Sequence, residues 1–181
     1  LEELKGHEEL DRRRKNTAFE ADGPAMLIVG GGQAGLSLAA RLAPLGVDAL
    51  VVDRWPRVGD NWRRRYHALT LHNQLHVNHL PYMPFPPGWP VYIPKDKLAG
   101  WFESYVEAME LNYWTGTEFL GGAYDAAARR WSVEVKRDEK PRTLHPRHVV
   151  LATGVSGIPD IPDIPALKDF RGKVIHSGQY G

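Results

Sequence analysis

Residues Ala25–Asp53 read AMLIVGGGQAGLSLAARLAPLGVDALVVD, and the fold turns on this stretch. Ala25–Gly30 is a short apolar run ending in glycines, the pattern of a strand buried on both faces. From Gln33 to Ala43, the residues Leu36, Ala39, Ala40 and Ala43 recur at helical spacing, and Pro44 and Gly46 close the helix. Val47–Asp53 is a second apolar run. Strand, turn, helix and strand predict one βαβ unit with a parallel strand pair and a right-handed crossover.

Gly30, Gly32 and Gly35 form G-x-G-x-x-G between that strand and that helix. Gly30 allows the tight turn, Gly32 lets backbone approach a pyrophosphate, and Gly35 lets helix and strand pack closely. The helix N-terminus presents free N–H groups and about half a positive charge to an anion. Gly30, Gly31, Gly32, Gln33, Ala34 and Gly35 are therefore candidate cofactor-binding residues. No Lys-Ser or Lys-Thr pair follows, which disfavours a nucleotide triphosphatase. Asp53, at the end of the second strand, stands where a carboxylate accepts hydrogen bonds from both ribose hydroxyls and repels a 2′-phosphate. The first site should then hold FAD or NAD rather than NADP.

Outward from this unit, the 181 residues, 43% hydrophobic and 25% charged, have the balance of one packed domain. The net charge of +1 provides no global field to attract nucleic acid or an acidic lipid surface. With no cysteine, disulfide scaffolds, thiolate nucleophiles and redox CxxC pairs are excluded, and a cytoplasmic setting is expected. Residues 1–23 open with segregated acidic and basic runs and read as a charged linker. A chain that opens on Leu1 and stops at Gly181 without a helix stop suggests part of a longer protein.

Tyr66–Pro94 contains no Asp, Glu, Lys or Arg, but its histidines, asparagines and six prolines argue against a membrane span. His72, His76 and His79 are spaced as on a helix, yet the prolines and the lack of a carboxylate disfavour a metal site, and none is expected. Leu98, Trp101, Phe102, Tyr105, Val106 and Met109 predict a helix from about Pro94, packed against a sheet. Arg130–Lys136 alternates as a half-buried strand, turned back by Asp138–Pro141 into an antiparallel meander. His148–Leu151 reads as a further buried strand, and the Ile-Pro repeats from Ile158 to Pro165 read as an extended connector.

Three stretches choose between the cofactors by resemblance. Asp53–Trp62 (DRWPRVGDNW) resembles the segment of flavin-containing monooxygenases that leaves the ribose acid and runs along FAD to G-G-x-W, with Asp60 in place of the second glycine. Leu71–Lys97, with LPxMPFP, resembles the plant YUCCA-type members and their bacterial relatives. Phe170, Gly172, His176 and Tyr180 spell F-x-G-x-x-x-H-x-x-x-Y, similar to the identifying motif of class B flavoprotein monooxygenases, and Ala152-Thr153-Gly154 matches their ATG element.

The resemblance implies a Rossmann-like α/β FAD-binding domain over 24–157, a parallel sheet with helices plus an antiparallel β-meander. It implies a connector over 158–181 toward an NADPH-binding domain lying beyond the chain. Arg54, Gly59, Asn61, Trp62, Ala152, Thr153 and Gly154 join the expected FAD neighbours. NADPH would reduce FAD, O₂ would add to the reduced ring, and the resulting peroxyflavin would oxygenate a small organic substrate. Tyr66–Pro94 would form part of the wall beside the flavin, with His72 or Asn73 donating toward the oxygen: ungapped comparison selects His72, residue identity selects Asn73. Arg63, Arg64 and Arg65 are read as a solvated run rather than phosphate ligands, and His176 as a link between domains. The competing readings are a non-catalytic FAD-binding remnant and a different FAD oxidoreductase. Of the latter, a disulfide reductase lacks its thiols here.

Overall fold

The computed structural model describes residue 19, residues 23–155 and residues 157–180. The opening unit forms as read: β1 (Met26–Val29), α1 (Gln33–Leu42) and β2 (Ala49–Val52). A single 3₁₀ turn over Ala43–Leu45 ends the helix, and Gly46 takes the left-handed φ of 67° that the reversal requires. Two helices follow, α2 (Asp60–Arg63) and α3 (Lys95–Ala108), and then the short strand β3 (Tyr113–Trp114). The strands β4 (Thr117–Asp125), β5 (Arg130–Arg137) and β6 (Lys140–Leu144) make an antiparallel sheet, and β7 (His148–Leu151) returns to the first. The parallel sheet has the order β3-β2-β1-β7.

Alternation along β1 and β2 separates two cores. Leu27, Val29, Leu50 and Val52 point to one face, where Val133, Val135 and Leu144 of the antiparallel sheet and Trp114 cover them. Ile28 and Val51 point to the other, where Ala39 of α1 packs. Phe19, within the stretch read as a charged linker, is buried edge-on to Trp114 with ring centroids 6.1 Å apart. Apart from Phe19 and Gly23, that linker lies outside the described residues.

With α1 and the meander on its two faces, the sheet has no face left for α3. The helix packs instead on Leu36 and Ala40 of α1 and on Leu71, Leu80, Phe85 and Ile93 of the proline-rich segment, which corrects the expected sheet contact. A second correction concerns β7, read as buried: among the described residues it pairs with β1 alone, and Leu151 is 67% exposed. The reversal after β5 is tighter than read, using Asp138 and Glu139 at positive φ, so Pro141 lies in β6 opposite Lys136. Pro141 is tolerated because β6 is an edge strand. The strands β3 and β4 were not foreseen, since Gly121 and Gly122 interrupt the apolar alternation of β4 at a register shift.

Candidate functional site

The glycine turn is built so that side chains are excluded from it. Gly30 has φ +110°, and a Cβ there would lie 2.5 Å from the Ala152 carbonyl oxygen. A Cβ on Gly35 would lie 2.0 Å from the Gly30 carbonyl oxygen, which is the close helix–strand approach expected of that position. Gly32 is the N-cap of α1 and offers no capping side chain, and the first bond of the helix runs from Leu36 N–H to the Gly32 carbonyl. The N–H groups of Gln33, Ala34 and Gly35 thus begin the helix as the donors an anion would meet.

The structure brings Asp53 to this turn. The Gly31 N–H donates to Asp53 Oδ2 at 2.7 Å, and the Trp55 N–H donates to Oδ1 at 2.9 Å. The parallel pairing of β1 and β2 carries the end of one strand beside the end of the other, which is why 22 residues of separation close to a hydrogen bond. The ATG element meets the same turn from the opposite side: Ala152 N–H donates to the Val29 carbonyl at 2.8 Å, Thr153 follows beside Gly30, and Gly154 takes φ +73°.

The segment after Asp53 folds back toward the glycines. Gly59, at φ +84°, fits against α3 because a Cβ there would lie 2.5 Å from the Ala99 carbonyl oxygen. The Asn61 amide nitrogen sits 3.3 Å from where a Cβ on Gly32 would project. The indole N–H of Trp62 is buried with no acceptor among the described residues. An ion network anchors α2 to α3: Arg63 pairs with Asp60 at 3.1 Å and with Glu103 at 2.9 Å, and the buried Lys95 donates to the Arg63 carbonyl at 3.0 Å. Arg63 is therefore a structural cation rather than a solvated one, whereas Arg64 is exposed over the Trp55 ring at 4.3 Å. Arg54 donates to the Gly157 carbonyl at 2.8 Å, and its guanidinium lies over the Trp55 ring, 4.9 Å from the centroid. A cleft of about 250 Å³ beside Arg54 and Trp55 is lined further by Gly116, Glu118, Lys136 and Glu139.

His72 and Asn73 are both exposed, on a stretch hydrogen-bonded to residues 91–93 through Leu71 and Leu75. The residue of this stretch that reaches the glycine turn is Asn78. It is 7% exposed, its carbonyl accepts from the Gln33 amide at 2.9 Å, and its own amide donates to the Gln74 carbonyl at 2.8 Å. Sequence reading missed it because it is one of seven histidine, asparagine and glutamine residues in an uncharged run. Tyr113 was missed as well: a Cβ on Gly31 would collide with its hydroxyl. His79 accepts from the Phe85 N–H at 3.0 Å, and among the described residues no group of histidines and carboxylates is placed to hold a metal. His176 caps a 3₁₀ turn over Ser177–Gln179, its Nδ1 accepting from Gly178 N–H at 3.0 Å. Among the described residues no helix is long and apolar enough to cross a membrane.

Comparison with known proteins agrees with this geometry. Residues 28–86 match the model of the NAD(P)-binding Rossmann-like domain. The chain is 36% identical over 158 residues to indole-3-pyruvate monooxygenase YUCCA1 of Oryza sativa subsp. japonica and 33% identical over 158 residues to probable indole-3-pyruvate monooxygenase YUCCA4 of Arabidopsis thaliana. Each match takes in 87% of this chain and 38% of the relative, so the chain spans little more than a third of the length of these curated relatives. A solved flavin monooxygenase from Stenotrophomonas maltophilia, a Q193R H194T mutant, superimposes with TM-score 0.78 and 25% identity over 88% of this chain and 46% of its own.

Proposed function

We propose, taking the chain as part of a class B flavoprotein monooxygenase on the strength of these similarities, that it forms the FAD-binding region of an NADPH-dependent enzyme that oxygenates a small organic molecule with O₂. One observation carries the reading: the glycine turn, its helix N-terminus and the Asp53 carboxylate converge at one sheet end, with the ATG element closing the other side. The fit to a dinucleotide is supported by the cradle itself, since added Cβ atoms on Gly30, Gly31 and Gly35 would all meet neighbouring atoms closer than any real contact. The N–H groups of Gln33, Ala34 and Gly35 would hold the pyrophosphate and Asp53 the adenosine ribose, with Asn61 and Trp62 nearby.

FAD, when bound, supplies the electron transfer and oxygen activation. The part of the protein is to bind, orient and exclude water. The buried cluster of Leu71, Leu80, Phe85 and Ile93 supports the reading of residues 66–94 as a wall of the site. His72 or Asn73 would provide a hydrogen bond at the reactive edge. NADPH would be held mainly by parts of the enzyme outside this chain, and the protein would work in the cytoplasm, which fractionation tests. We read residues 24–157 as the FAD domain and 158–181 as a connector.

The deciding experiment purifies the full-length protein, inspects it for yellow bound flavin, and follows NADPH and O₂ consumption with candidate substrates. Bound FAD with substrate-dependent consumption and an oxygenated product is the expected result. A colourless protein would leave the remnant reading, and flavin with peroxide release but no product under all substrates would mark an oxidase.

A further inference from the structure

We propose that Lys95 is a positioning residue for the cofactor site: its buried ammonium grips the last carbonyl of α2 and thereby fixes Asn61 and Trp62 beside the glycine turn. The proposal rests on the FAD reading above and deepens it.

Lys95 stands where elementary rules disfavour a lysine. It is 6% exposed, so its charge is withdrawn from water. It is also the first residue of α3, the end of a helix at which the macrodipole repels a cation. Two local rules broken at one position point to a contact that offsets them. Lys95 Nζ donates to the Arg63 carbonyl at 3.0 Å and to Asp96 Oδ1 at 2.7 Å. The two acceptors differ in their surroundings. The Asp96 side chain is 65% exposed, so water competes with the ammonium for its carboxylate. Arg63 ends α2, where a carbonyl finds no donor within its own helix.

The element that Lys95 holds has little stability of its own. α2 is a single turn, and one isolated turn does not persist without outside support. Arg63 supplies some of that support through its side chain, Nη1 donating to the Val58 carbonyl at 2.6 Å and Nη2 meeting Glu103 at 2.9 Å. Lys95 supplies it to the backbone, from an anchored position, because its own N–H donates to the Leu69 carbonyl at 3.0 Å. The turn so held carries Asn61, whose amide nitrogen lies 3.3 Å from a Cβ built on Gly32. It also carries Trp62, whose buried indole N–H has no acceptor among the described residues. A buried donor without a partner is costly, and a cofactor oxygen would satisfy it. Any rotation of α2 moves both side chains together, so Lys95 acts on the cofactor through them.

A double-mutant cycle on FAD affinity in the full-length protein tests this, with apoprotein titrated by FAD and followed by quenching of flavin fluorescence. Lys95→Met keeps most of the stem and removes the ammonium, and should weaken FAD binding roughly tenfold. Asp96→Asn leaves the Arg63 contact in place and should change FAD affinity by no more than about twofold. In an Asn61→Ala, Trp62→Phe background, Lys95→Met should have no further effect, because a residue acting through those two side chains has nothing left to act on. Equal losses in both backgrounds would assign Lys95 to general packing and overturn the proposal, as would FAD binding of unsubstituted strength in Lys95→Met. A loss in Asp96→Asn as large as in Lys95→Met would overturn it too, by placing the effect in the exposed ion pair. Should Lys95→Met not fold, Lys95→Arg, which keeps the charge and shifts its donors, repeats the cycle with the same pattern expected and the same results overturning it. If the unsubstituted protein takes up no FAD, the FAD reading fails and this proposal falls with it. Every other overturning result occurs with FAD bound to the unsubstituted protein, so the two failures are told apart.

Discussion

The glycine turn and the proline-rich segment touch through the Gln33 amide on the Asn78 carbonyl, yet they contribute to the site in opposite ways. At the turn the groups proposed to hold the cofactor are backbone N–H donors, and residues matter chiefly for the side chains they lack. Along residues 66–94 the backbone has little regular structure, and any contribution to chemistry must come from side chains whose exposure the tertiary fold sets. A backbone site announces itself in sequence, because only glycine satisfies its steric demands. A side-chain wall does not: the resemblance selects His72 or Asn73, while the residue that packing buries against the turn is Asn78.

The largest test of the contrast is Gly35→Ala. Its Cβ would fall 2.0 Å from a backbone oxygen that cannot move without displacing β1. Overpacking of this kind should cost about 3 kcal/mol or more, read as a lowered midpoint of thermal unfolding and loss of retained flavin. A variant of native stability would mean that the turn is looser than the contact requires. Next in size, Asp53→Ala removes the acceptor of the Gly31 and Trp55 N–H groups and should weaken FAD by about 1.5 to 3 kcal/mol, measured by flavin titration.

On the other side of the comparison, Asn78→Ala should cost about 0.5 to 1.5 kcal/mol of stability, since it removes a buried amide that donates to the Gln74 carbonyl. Asn73→Ala, on an exposed residue, should change stability by no more than about 0.5 kcal/mol and act only on the coupling of NADPH oxidation to product. Equal stability losses at the two positions would erase the distinction drawn between them.

The smallest effect is in alkali. Burial, with Tyr82 adding to it and Arg41 opposing, pushes Tyr105 from 10.0 to about 12, and its hydroxyl donates to the Pro81 carbonyl at 2.9 Å. The folded state then holds this proton more tightly than the unfolded chain does. Its contribution is complete below pH 10 and falls away as pH rises toward 12. Tyr105→Phe should flatten that limb of a stability–pH curve, and an unaltered limb would remove Tyr105 as its source.

The amino-acid sequence by itself determined the βαβ unit, the glycine turn, the acid at the end of β2, the β5–β6 meander and the position of α3. All of these follow from short-range spacing of apolar residues and from glycine stereochemistry, which a chain carries wherever it folds. Only the tertiary structure decided that α3 rests on α1 and not on the sheet, that Arg63 is a structural cation, and that Tyr113 and Asn78 lie against the glycine turn. Those outcomes depend on which surfaces are already covered and which strands are neighbours. Such contacts join residues 45 and 82 positions apart, as from Gln33 to Asn78 and from Gly31 to Tyr113, and no local pattern encodes them.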